Sequence, residues 1–195
     1  KNIRVQFADG KALDRESETG RHQGVIAYVS DYEYADFDRF LEMKDTPRFV
    51  VICDGIEDVH NLGSILRVAE CAGADGVIIP KNKSAQVNGA VVRISEGAAN
   101  HIAVARVPGI NYAIDELKKS GYWVYGLEAD GENIYGTDLR GDIALVVGGE
   151  DRGISRLTRE KCDKILSLPL KGNVNSLNAS VALGIAAYEA VRQRS

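Results

Sequence analysis

Three short clusters bring together residue types that can do chemistry. The first runs Asp54-Gly55-Ile56-Glu57-Asp58-Val59-His60-Asn61-Leu62-Gly63-Ser64-Ile65-Leu66-Arg67. It leaves an apolar run and opens a helical pattern. Asn61 suits a helix N-cap, because its side chain can accept from an orphan amide. Arg67 lies a little under two turns further on, so the two residues roughly share one side of a helix. Taken alone, the segment also fits a capped surface helix with an exposed arginine. The second cluster is Val147-Gly148-Gly149-Glu150-Asp151-Arg152-Gly153-Ile154. Glycines at a strand end let a ligand approach the backbone closely. In open α/β sheets ligands sit outside those ends. The spacing is neither the dinucleotide fingerprint nor a P-loop, which would need a Lys followed by Ser or Thr. A tight strand-to-helix turn is the plainer account. The third cluster is Leu168-Pro169-Leu170-Lys171-Gly172-Asn173-Val174-Asn175-Ser176-Leu177-Asn178-Ala179-Ser180. Asn175, Ser176, Asn178 and Ser180 gather at the start of an apolar helix. One would suffice as a cap, so the excess points to side chains and helix-end amides aimed at a ligand. Redundant capping is the alternative.

Strands and helices must position these clusters. Apolar runs occur at 49–53, 76–79, 102–104, 123–127, 143–147 and 165–168. They do not alternate in and out, which suits strands buried on both faces of a mostly parallel sheet. Helical patterns lie between them, at 62–71, 112–119 and 176–192. Such alternation predicts an α/β fold with helices on both faces of the sheet. The first 47 residues read differently. Ile3 and Val5 suggest a strand, Lys11 to Thr19 a polar helix, and Gly24 to Val29 a clear strand. The aromatic and acidic stretch from Tyr32 to Leu41 suggests an amphipathic helix, and Pro47 marks a boundary.

The chain has 195 residues and a formal net charge of -4. With 45% hydrophobic and 27% charged residues it is neither disordered nor collagen-like nor a disulfide framework. No apolar run approaches the roughly 18 residues that span a bilayer. Residues 31–45 hold six acids and two bases, which accounts for the whole net charge. An acidic total therefore does not exclude RNA, and Lys81, Lys83, Arg93, Arg106, Arg152 and Lys171 are candidate phosphate contacts. Cys53, Cys71 and Cys162 form no CxxC pair and read as reduced cysteines of a cytoplasmic protein, packed rather than reactive. His22, His60 and His101 show no metal-ligand spacing, so no metal is expected. The chain opens on Lys1 with no charged-then-apolar leader.

Together the order Asn-x5-Arg, Gly-Gly-Glu-x-x-Gly and Leu-Pro-Leu-x-Gly-x-x-x-Ser-Leu-Asn-x-Ser resembles the three motifs of the SpoU (TrmH-type) RNA ribose 2′-O-methyltransferases. The resemblance covers about residues 48–193. Arg21-His22-Gln23-Gly24-Val25 is similar to the segment that joins an N-terminal RNA-binding domain to the catalytic domain in 23S rRNA guanosine 2′-O-methyltransferases. This implies that residues 1–47 are the tail of that domain plus a linker, and that 48–195 are the catalytic domain. It also implies a C-terminal deep trefoil knot, which chain-topology rules alone would not suggest. S-adenosylmethionine would sit in the knot against Gly148, Gly149, Leu168, Leu170, Leu177 and Asn178. The implied catalytic group is Arg67, Asn61, Glu150, Ser176 and Asn178, in a homodimer with each site near the subunit interface. A guanidinium, with a pKa above about 12, is a poor base. Arg67 is therefore expected to hold the target phosphate and stabilise the developing alkoxide. Asn61 would orient Arg67 or the ribose, and Glu150 would fix Arg67 or the third cluster's loop. The expected reaction is 2′-O-methylation of a ribose, foremost a guanosine of 23S rRNA. A tRNA enzyme or a catalytically silent RNA-binding factor is the alternative.

Overall fold

The computed structural model describes residues 3–17, 20 and 22–195. Arg21 of the joining segment and Thr19 at the end of the predicted polar helix lie outside the described residues. The chain divides into two compact units, 1–32 and 33–195.

In the first unit, α1 (Gly10–Glu16) is capped by Asp9, whose carboxylate accepts from the Ala12 amide at 2.7 Å. No strand forms at Ile3–Val5 or Gly24–Val29. A strand needs a neighbour to complete its ladder, and in this unit the described residues supply none. Val25, Tyr28 and Val29 are instead exposed.

In the second unit β1 (Phe49–Asp54), β2 (Gly76–Pro80), β3 (Ala103–Val107), β4 (Trp123–Asn133), β5 (Ile143–Gly148) and β6 (Lys164–Ser167) form one sheet. Their order is β3-β2-β1-β5-β4-β6, and every pairing is parallel. β1, β2 and β5 are buried on both faces, which is why their sequences are continuous apolar runs. Helices α2 (Val59–Cys71), α3 (Gly89–Ile94), α4 (Ile110–Lys119), α5 (Arg156–Lys161) and α6 (Ala179–Arg194) connect and cover them. The amphipathic face of α4 (Ile110, Ala113, Ile114, Leu117) packs with Val50, Ile52, Ile78 and Val146 of the sheet. α2 packs on α6 and on α3, and α6 packs on β5.

The acidic stretch 31–45 yields only a 3-10 turn, Phe37–Phe40, not an amphipathic helix. Its aromatic residues still reach the core: Phe37 and Phe40 are buried beside α4 and β3. Ala35 bridges Ala105 on the outer edge of β3, a pairing that competes with helix formation there.

Candidate active site

All three clusters lie at the C-terminal ends of strands. After β1, Gly55 takes a left-handed φ of +72°, and the chain turns into α2. The helix cap is Asp58, which accepts from the His60 amide at 2.6 Å, not Asn61 as the sequence suggested. Asn61 instead sits in the first turn, 7% exposed. Asp58 wins because it is the last residue with extended backbone before the helix.

After β5 the chain folds back tightly. The Gly153 amide donates to the Gly149 carbonyl at 2.8 Å, and the Gly149 amide donates to the Asp54 carbonyl at 3.1 Å. A Cβ on Gly148 would lie 2.0 Å from the Gly153 carbonyl carbon, and one on Gly149 would lie 2.5 Å from the Gly55 oxygen. Only glycine fits either position. The turn carries Glu150 outward.

After β6, Asn178 caps α6. Its Oδ1 accepts from the Ser180 amide at 3.0 Å and the Ser180 hydroxyl at 2.7 Å. That fixes the carboxamide, so its Nδ2 points away from the helix. Nδ2 donates to Asn61 Oδ1 at 2.8 Å and to Glu150 Oε1 at 2.7 Å. One side chain thus ties the three clusters together.

Beside this knot of hydrogen bonds lies a cavity of about 410 Å³. That volume falls within the roughly 300–1,000 Å³ of small-molecule sites. Leu127, Leu166, Leu168, Leu170 and Leu177 give it apolar walls, and Gly148, Gly149, Ser176 and Asn178 line its rim. The sequence-predicted cofactor residues therefore converge on one space. Glu128, which sequence reasoning missed, also lines it. Its Oε1 accepts from the Ile154 amide at 2.5 Å, while its second oxygen has no partner among the described residues. A carboxylate directly after the apolar run 123–127 was the available signal.

Arg67 does not join this group. It is exposed, lines neither this cavity nor its neighbour, and makes no hydrogen bond or ion pair among the described residues. Neither Asn61 nor Glu150 touches it, and the Glu150 contact runs to the third cluster's Asn178. Lys81, Lys83, Arg93, Arg106, Arg152 and Lys171 are all exposed. Arg106 stacks over the Tyr34 ring at 4.0 Å. Lys83 and Arg152 border a second cavity beyond the Gly149–Gly153 turn, whereas Lys81, Arg93 and Lys171 line neither cavity.

The two less exposed thiols are poor nucleophiles. Burial pushes Cys53 up to about 12, and burial, aided by Asp163, pushes Cys162 up to about 12 as well. Among the described residues no three His, Cys, Asp or Glu side chains group to hold a metal, and no helix is long and apolar enough to cross a membrane.

Comparison with known proteins fits this geometry. Residues 48–188 match the SpoU rRNA methylase family, and residues 1–35 match an RNA 2′-O ribose methyltransferase substrate-binding domain. A protein of Staphylococcus saprophyticus assigned to the TrmH family of tRNA/rRNA methyltransferases is 48% identical over 99% of this chain and 79% of its own. The SpoU methyltransferase AviRb of Streptomyces viridochromogenes, solved with AdoMet, is 30% identical with a TM-score of 0.74, over 83% of this chain and 66% of its own. A TrmH/SpoU tRNA-modifying enzyme of A. aeolicus is 29% identical with a TM-score of 0.70, over 81% of this chain and 80% of its own. The chain thus spans just under two thirds of the AviRb structure.

Proposed function

The chain belongs to the SpoU rRNA methylase family, and on that premise we propose that it transfers a methyl group from S-adenosylmethionine to a ribose 2′-hydroxyl of RNA, a guanosine of 23S rRNA foremost. The observation that carries this reading is the Asn178 carboxamide, which joins Asn61 and Glu150 at the rim of the cavity. The match of residues 1–35 to a substrate-binding domain supports RNA as the acceptor.

The cavity fits the cofactor on its own features. Gly148 and Gly149, whose Cβ positions are taken up by the Gly153 and Gly55 backbone, line the cavity with main chain alone, against which a flat ring system can lie. Leucines supply apolar walls, and Glu128 offers an unpaired carboxylate oxygen for hydroxyl or ammonium hydrogens. In our reading Gly148, Gly149, Leu168, Leu170, Leu177 and Asn178 hold the cofactor. When bound, it supplies a methyl group activated on a sulfonium for in-line displacement. The reaction then needs positioning more than acid–base power. Asn178 fixes Asn61 and Glu150 relative to the cavity. Ser176, on the exposed loop beside them, orders the acceptor. Arg67 holds the target phosphate and stabilises charge developing on the 2′-oxygen. It cannot take the proton, since guanidinium stays protonated, so the proton leaves to phosphate or water.

The same reading carries a trefoil knot and a homodimer. The 127–129, 147–153 and 168–179 segments meet around one cavity, and a Cβ on Gly131 would strike the β6 backbone at 2.6 Å, which supports close threading. Val181, Ile185 and Tyr188 are 49%, 38% and 52% exposed along one side of α6, an apolar stripe suited to a second copy.

Tritiated S-adenosylmethionine incubated with unmodified 23S rRNA, 16S rRNA and tRNA, followed by mapping of the labelled ribose, tests the proposal. Label at a 23S guanosine is expected. Label in tRNA would move the substrate, and no label in any RNA would favour a silent RNA-binding factor.

A further inference from the structure

A second cavity, of about 800 Å³, lies across the Gly149–Gly153 turn from the first. Its place follows from the sheet. From β1 the chain proceeds through β2 to β3 on one side, while β5 and β4 flank it on the other. The connections therefore diverge between β1 and β5, and such a switch point opens a crevice at the strands' C-terminal ends. Asp54 at the end of β1, Gly55 after it and Gly149 after β5 border the cavity there. Glu150 and the two glycines of the turn line both cavities, and Asn61 lines the second. Anything bound in the crevice thus abuts the Asn61–Asn178–Glu150 group from the side opposite the cofactor cavity.

The lining has unspent capacity. Asp54 is engaged by the Ser155 amide at 2.8 Å, and Asp58 caps α2. Lys83 and Arg152 form no ion pair among the described residues. Lys83 holds a left-handed φ of +55°, which non-glycine residues seldom adopt. Its loop is pinned to the first cluster: the Ser84 hydroxyl and the Ala85 amide both donate to the Ile56 carbonyl, at 3.1 and 2.7 Å. Asn111, in the first turn of α4, lines the crevice with its Oδ1 buried and unpaired. Buried polar atoms are normally paired, so this one calls for a partner.

We propose that the crevice holds the RNA nucleotide next to the one methylated, with its phosphate between Lys83 and Arg152 and its base edge at Asn111. This rests on the methyltransferase reading and deepens it. Phosphate contacts would set register and the base contact would read sequence. An asparagine suits the latter, because rotating its carboxamide offers a donor or an acceptor.

The test uses the full chain with unmodified 23S rRNA, 16S rRNA and tRNA transcripts. RNA affinity is measured against salt for wild type, Lys83→Ala, Arg152→Ala and the double variant. Each single change should lower the slope of log affinity against log salt by roughly 1, for every RNA alike. Asn111→Leu should instead narrow the difference in affinity between the RNAs. S-adenosylmethionine affinity, read by calorimetry, should stay at the wild-type value and so report an intact fold. A double variant with the wild-type salt slope would overturn the crevice assignment. If wild type transfers tritium to RNA while the variants bind unchanged, the crevice alone is wrong. If wild type neither binds nor labels any of the RNAs, the methyltransferase reading fails and the crevice assignment falls with it.

Discussion

The two ends of the sheet use the same kinds of side chain to opposite effect. At the N-terminal end Arg48 is 1% exposed and fully engaged. It bonds Asp142 through its side chain at 2.7 and 3.0 Å, donates to the carbonyls of Leu41, Glu42 and Ser120, and stacks on Tyr122 at 4.4 Å. Asp75 accepts from the Phe49 amide at 2.7 Å and from Lys44. Arg194, at the end of α6, donates to the carbonyls of Leu139 and Gly141. These bonds fasten β1, β5 and α6 to one another. At the C-terminal end Lys83, Arg152 and one oxygen of Glu128 have no partner among the described residues, nor has Arg67 further along α2. A charge closed into a network serves the fold, whereas a charge held on rigid elements and left open is available to a ligand.

Mutation should separate the two ends. Arg48→Ala leaves Asp142 Oδ2 and three carbonyls without their donor. Removing one member of a buried pair costs about 3–5 kcal/mol, so its urea midpoint should fall more than that of any substitution at the open end. The protein that remains folded should bind S-adenosylmethionine as wild type does. Gly148→Ala acts at the open end through backbone. Its Cβ has no room against Gly153, and overpacking costs typically 1–3 kcal/mol. We expect a smaller loss of stability than in Arg48→Ala and a loss of S-adenosylmethionine affinity of at least about tenfold by calorimetry, since the turn that lines the cavity must shift.

Acid should weaken the closed networks first. Burial pushes the Asp142 carboxyl up, but bonds from the Arg48 side chain and amide outweigh this and hold it below the usual range. Arg192, and then Gln193, hold Glu189 down at about 2. Both folded values lie below the unfolded ones, so each contribution is present above about pH 4.5 and is lost as pH falls toward 2. Urea midpoints should decline across that window. The smallest effect concerns thiols: at neutral pH a maleimide should label exposed Cys71 and spare Cys53, which is buried. Labelling of Cys53 in the native protein would mean that β1 is open to solvent.

Much of the sheet was legible because strands buried on both faces must be apolar throughout, as at 49–53 and 143–147. The clusters were legible too, because glycine pairs and clustered Asn and Ser have few plain structural uses. What the sequence hid depends on distant partners. Gly24–Val29 has strand composition and, among the described residues, no strand beside it. Asn61 looks like a cap, yet Asp58 three residues earlier takes that role and leaves Asn61 for Asn178, 117 positions away. Glu128 sits in a polar stretch, Glu-Ala-Asp-Gly, that reads as a turn until the 148–153 segment folds against it. The crevice is built from separate loops, so no local pattern announces it.

The most direct test of the central claim, that the open end performs methyl transfer, is Arg67→Ala. Arg67 makes no bond that the fold needs, so the variant should keep wild-type stability and wild-type S-adenosylmethionine affinity by calorimetry. Tritium transfer to RNA should fall by at least about 10²-fold, the size expected when a donor to developing charge is removed. Wild-type turnover in Arg67→Ala would contradict the account.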